Sequence, residues 1–259
     1  MSKQMGVLNS YKNHSKDMNH DHCHCGCHAE HEHPVAPSVS ARETEVLQCP
    51  HCQQDVSVEI VSVLHPGDKE LKELFAGTLN RPVCPRCGKS FLVSRTLTYC
   101  EEEPPFIVYQ MPEPEEGDTR EFETEVDAMA TEVFREQNLP RPTVRLTFER
   151  PDFLEKIAIH RLGFDDRIIE FAKLQLYRSM DEQQLNRTFH RLLLDYSHCD
   201  EEHLSFFIFD REKMQPVNLL QVPMKEFQAL ESAVQQEPDV ANELDAAFPG
   251  CVVSSERLL

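Results

Sequence analysis

Cys49-Pro50-His51-Cys52 and, after 31 intervening residues, Cys84-Pro85-Arg86-Cys87-Gly88 decide how this chain is read. Two thiolates separated by two residues can grip one ion through a tight turn. Two such turns supply the four soft donors that tetrahedral zinc accepts at about 2.3 Å. Cys49, Cys52, Cys84 and Cys87 are therefore the expected metal ligands, and zinc is the expected cofactor. The long separation does not weaken the expectation. Loop closure costs about 0.6 kcal/mol per doubling of length, against an apparent binding free energy of roughly 10–16 kcal/mol for structural zinc. Cys49-Pro50-His51-Cys52 also has the spacing of a disulfide oxidoreductase, in which a helix N-terminus activates the first thiolate. Behind it, however, Val56, Val58 and Ile60 alternate as a strand does, and a strand supplies no such dipole.

Working outward, Asp68 is placed to cap a short helix carrying Leu71, Leu74 and Phe75, with Gly77 as its stop. Phe91, Val93, Thr96 and Thr98 read as a strand after the second cysteine pair, and Phe106–Tyr109 as another. Residues 43–117 are thus expected to form a zinc-ribbon-like β subdomain with a helical insertion. The acidic stretch from Glu101 to Asp127 reads as a solvated linker, with a boundary near Gly117. Residues 118–235 are expected to form a small α/β unit, packed against or linked to the first, so that the fold class is α+β. Its helices are predicted around Val126–Val133, from Asp152 to Gly163 and from Asp165 onward, with helical spacing continuing through Phe189 and Leu192–Leu194. Its strands are predicted at Val144–Phe148, Leu204–Phe209 and, antiparallel to the last, Val217–Leu220; a helix follows Pro223. Residues 236–259 are expected to be a peripheral C-terminal tail.

Residues 1–42 lack apolar periodicity and read as a disordered tail rich in metal donors: His20, His22, Cys23, His24, Cys25, Cys27 and His28. The 259-residue chain carries 45 acidic against 26 basic side chains, a formal −19. That charge repels phosphate backbones and anionic bilayers, so neither direct nucleic-acid binding nor membrane binding is expected. No apolar run approaches the roughly 20 residues of a membrane span and no export signal is evident, which points to the cytoplasm. No nucleophile elbow, Walker loop or HExxH pair occurs, so no catalytic residue is expected. Asp165-Asp166-Arg167 reads as a capped helix start, and His160, His190, His198 and His203 read as structural or surface histidines.

Taken together, the sequence resembles the CpXC domain family, named for its two Cys-Pro-x-Cys motifs. The likeness runs from about Val46 to Val234. Besides the two cysteine pairs it rests on Asp68-Lys69-Glu70-Leu71 with Gly77, on Gly88, and on the run from Gly163 through Asp165-Asp166-Arg167 to Glu170. The resemblance implies a prokaryotic protein that binds zinc through Cys49, Cys52, Cys84 and Cys87, and it supplies no reaction. Cys100 departs from the family pattern and is a candidate fifth thiol near the site. The expected role is non-enzymatic: a structural zinc supports a surface that meets another protein. The alternatives are metal storage or delivery through the His/Cys tail, and thiol–disulfide exchange at Cys49.

Overall fold

The computed structural model describes residues 41–112 and 119–258. The His/Cys run from His20 to His28 and the boundary near Gly117 lie outside the described residues. Within them the fold is α+β, with six α-helices and nine strands in three sheets. β1 (Arg42–Gln48) and β2 (Asp55–Val61) form an antiparallel hairpin in which Gln48 faces Asp55. The central sheet has the order β3-β4-β5-β6, built from Val63–Leu64, Leu97–Glu102, Pro105–Gln110 and Thr143–Thr147. Its inner pair is antiparallel and both flanking pairs are parallel. The third sheet is an antiparallel meander of β7 (His190–Leu194), β8 (His203–Asp210) and β9 (Gln215–Pro223). The helices are α1 (Glu70–Phe75), α2 (Thr119–Glu136), α3 (Arg150–Leu162), α4 (Asp166–Ser179), α5 (Met224–Gln236) and α6 (Pro238–Ala247).

Several local expectations meet their physical cause directly. Gly163 ends α3 in the left-handed conformation, and the Asp165 side chain caps α4 by accepting from the Arg167 N–H at 2.9 Å. The caps expected at Asp68 and Asp152 go elsewhere. The Asp68 carboxylate accepts from the His65 N–H at 2.7 Å, and Asp152, inside the first turn of α3, pairs with Arg191.

Four expectations are corrected. Leu192–Leu194 continue no helix but form β7, because Leu192, Leu193 and Leu194 pair with Ile208, Phe207 and Phe206 of β8. Sheet pairing with the most apolar strand overrides a weak helical spacing. The stretch from Glu101 is not a solvated linker throughout: Glu101 and Glu102 end β4, and Phe106, Ile107 and Val108 of β5 are buried. The proposed subdomains share the central sheet, since β5 pairs with β6 across the boundary region. Finally, residues beyond 236 are not peripheral. Leu244, Phe248, Cys251, Val252 and Val253 are buried, and the Leu146 N–H donates to the Cys251 carbonyl at 2.9 Å. That bond continues the sheet edge past β6.

The face of α4 that periodicity would assign to aliphatics carries Asp166, Glu170 and Lys173, all buried. They meet Glu155 and Lys156 of α3 and Arg145 of β6 in one network. Arg145 Nη2 lies 2.6 Å from Asp166, Lys156 Nζ lies 3.0 Å from Asp166 and 3.2 Å from Glu170, and Lys173 Nζ lies 2.7 Å from Glu155 and 2.9 Å from Glu170. Ser255 completes Glu170, donating its N–H and its hydroxyl to Oε2 at 2.9 Å each. Three cations face three carboxylates, so the buried cluster is formally neutral.

Candidate metal centre

The two cysteine turns are built alike. In the first, the Cys49 N–H donates to the Gln54 carbonyl and the Gln53 N–H returns to the Cys49 carbonyl, each at 2.8 Å. In the second, the Cys84 N–H donates to the Lys89 carbonyl and the Gly88 N–H returns to the Cys84 carbonyl, each at 2.9 Å. Each turn requires a left-handed residue directly after its second cysteine. Gly88 adopts φ 70° at little cost, whereas Gln53 is held at φ 59° against its preference. The first turn sits at the tip of the β1–β2 hairpin. The second is fastened beside it by Asn80, whose buried side chain accepts from the Val61 N–H at 2.9 Å and donates to the Val61 carbonyl at 2.8 Å. Asn80 is a positioning residue that pattern reading missed, and only its amide chemistry hinted at the role.

These turns bring Cys49, Cys52, Cys84 and Cys87 together, with all four sulfur atoms within 4.8 Å of one another. The Cys49–Cys87 and Cys52–Cys84 Sγ separations are 3.7 and 3.6 Å. A tetrahedron with metal–sulfur bonds of about 2.3 Å has edges of about 3.8 Å. The thiols are too far apart for disulfides and all four are free. Their protonation chemistry also favours a cation. Backbone N–H groups of Cys87 and Arg86, opposed by burial, hold Cys84 down to about 6. At Cys52 the Gln54 N–H works in the same direction, yet burial and the three surrounding cysteines push the thiol up to about 11. Crowded thiols resist becoming four thiolates, and a central divalent charge removes that resistance. The residues present therefore fit a metal ion.

Cys49 and Cys84 are buried beneath Val56, Val58, Ile60 and Val93, while Pro50, His51, Pro85 and Arg86 face solvent. The segment after Cys52 is β2, not a helix, so the dipole that would activate Cys49 for disulfide chemistry is missing from this geometry. Cys100 is no fifth ligand. It lies on β4 against a different group of buried side chains that includes Ile107 and Tyr109, where burial pushes its thiol up to about 11. The four singled-out histidines all have carboxylate or backbone partners: His160 Nε2 with Glu101 at 3.2 Å, His198 with Asp195 at 2.6 Å, His203 with Asp200 at 3.6 Å, and His190 Nδ1, which accepts from the Asn186 N–H at 3.1 Å.

Residues 47–173 match the model of a protein family described as CpXC protein. This stretch of the chain belongs to the CpXC family. It begins at the end of β1, spans both cysteine turns and the central sheet, and ends within α4 at the buried Lys173. The CpXC segment therefore joins the cysteine site to the buried charge cluster. No curated protein and no solved structure matches the chain. Among the described residues, no helix is long and apolar enough to cross a membrane.

Proposed function

We propose that this chain is a non-enzymatic zinc protein, in which one Zn²⁺ held by Cys49, Cys52, Cys84 and Cys87 fixes a zinc-ribbon-like lobe that presents a surface to another protein. The observation that carries the reading is the tetrad of sulfur atoms with separations suited to a tetrahedral ion. Four protein ligands close such a site, leaving no position for a substrate or an activated water, so the ion acts through shape. Val46, Val83 and Leu92 support the second half of the reading: all three are exposed apolar side chains on the lobe that holds the cysteines. A reducing compartment such as the cytoplasm keeps the four thiols available.

The test compares the full chain with its Cys49→Ser/Cys84→Ser variant by elemental analysis after extensive dialysis. The expected difference is one zinc per chain, and any metal held by the tail cancels between the two. Equal zinc contents would overturn the proposed site. A second arm captures partners from the native host with the unmodified chain and with Val83→Asp/Leu92→Asp; the same partners on both would remove this face from the reading.

A further inference from the structure

A cleft of about 1020 Å³ lies among α2, β6, the start of α4 and the segment Phe248–Leu258, and its charge runs against that of the chain. The chain as a whole is −19, yet six cationic side chains line the cleft against four carboxylates. Arg145 and Lys156 are the buried pair among them and share Asp166. Arg141 and Arg257 are exposed at the cleft. Arg141 Nη2 donates to Asp127 at 2.8 Å and Arg257 Nη1 donates to Glu123 at 2.6 Å. A guanidinium has five N–H donors, so each retains others for a ligand.

The cleft also holds one fixed ring. His160 stacks on Phe106 with centroids 3.9 Å apart and planes 6° apart, and Glu101 holds its Nε2. Its Nδ1 has no partner among the described residues, and the ring lines the cleft. Phe106, Phe164 and Phe248 add apolar wall. The segment on the far side is tied to α2 by Glu123, whose Oε2 accepts from the Val252 N–H at 3.2 Å and packs against the open face of Gly250. The wall carrying Arg257 is thus anchored to α2 through a carboxylate that the arginine itself engages.

We propose that this cleft binds a small aromatic or apolar oxyanion, a phosphate or carboxylate compound, through the spare N–H donors of Arg141 and Arg257 and the Nδ1 edge of His160. Planar guanidinium groups match both head groups, and the phenylalanine walls favour an organic ligand over a bare ion. Because every lining arginine with an assigned partner already faces a carboxylate, affinity is modest and falls with added salt.

Isothermal titration of the full, metal-loaded chain with phenyl phosphate, phthalate and inorganic phosphate tests the proposal. One organic anion per chain is expected, bound at least tenfold more tightly than inorganic phosphate, and the phenyl phosphate and phthalate arms decide which head group is preferred. Arg141→Glu/Arg257→Gln is expected to weaken that binding at least tenfold, whereas Arg187→Glu, outside the cleft, leaves it unchanged. Absence of binding by both organic probes at millimolar concentration overturns the proposal, as does binding undiminished in the double variant. Phenylglyoxal labelling of the unmodified protein provides a reading that needs no variant. The bound anion is expected to protect Arg141 and Arg257 but not Arg187, and equal labelling of all three overturns the site.

Discussion

Around Cys49 and Cys84 the buried core consists of four aliphatic side chains and the two thiols themselves, Val56, Val58, Ile60 and Val93 completing the group. Around α4, seventeen buried side chains from five helices and strands or more surround one another, and six charges lie against them. So small an apolar group buries little surface, and the proposed metal cross-link would supply what burial does not. The large core has apolar surface to spare and accepts charged groups whose desolvation is offset only by complete pairing. Under the proposed function the two regions are therefore stabilised on opposite terms: one through a bound ion, the other through every partner remaining in place.

Metal removal should separate the halves most strongly. Chelation, or Cys84→Ser, withdraws a free energy on the order of 10–16 kcal/mol from the cysteine lobe alone. Hydrogen exchange is expected to show amides of residues 42–61 and 79–93 losing protection while those of β8 keep theirs; uniform loss across both would show that the lobe and the large core unfold as one. Next in size, Lys173→Met leaves Glu155 and Glu170 buried beside each other without their shared cation. A loss of about 3–5 kcal/mol is expected in urea titration of the metal-loaded chain. A loss under 1 kcal/mol would show that the cluster is not dry.

Acid distinguishes the halves by sign and by order. Burial raises Glu170, but the charges of Lys156 and Lys173 outweigh it and hold the carboxyl at about 2; Asp166 is likewise held low by Lys156 and Arg145. Carboxylates depressed in the folded state contribute stability that is complete above their ordinary value near 4.5 and is lost as pH falls toward 2. Glu155, raised by burial despite Lys173, works in the opposite sense and shallows that slope. The cysteine lobe should fail earlier in the titration, because protons compete with the ion for thiolates. Released metal followed with a chromophoric chelator, alongside circular dichroism, is expected to change before the helices do; coincident transitions would erase the distinction. The smallest effect expected is Asp165→Ala, which removes the cap of α4 and costs about 1 kcal/mol in thermal unfolding without releasing metal.

The cysteine site was legible because CxxC spacing translates into a turn whatever surrounds it. Val56, Val58 and Ile60 announced β2, and Leu204–Phe209 announced β8, by alternation or by sheer apolarity. What escaped is long-range. β1 has a mostly exposed face and few apolar residues to mark it. Leu192–Leu194 fit a helix as well as a strand until β8 is beside them. Charged residues on the inner face of α4 look like solvent until Lys156 and Glu155 arrive from α3. The burial of Cys251–Val253 depends on Leu146 and Glu123, over a hundred positions earlier in the chain. Likewise Gln53 carries no sign that it will adopt the backbone conformation that Gly88 adopts.

Ser255 satisfies Glu170 from 85 positions downstream. In order of synthesis both cysteine turns and their apolar cover are complete by Val93, whereas the network around α4 waits for a strap translated much later. Until then Glu170 lacks the two donors that Ser255 brings to it.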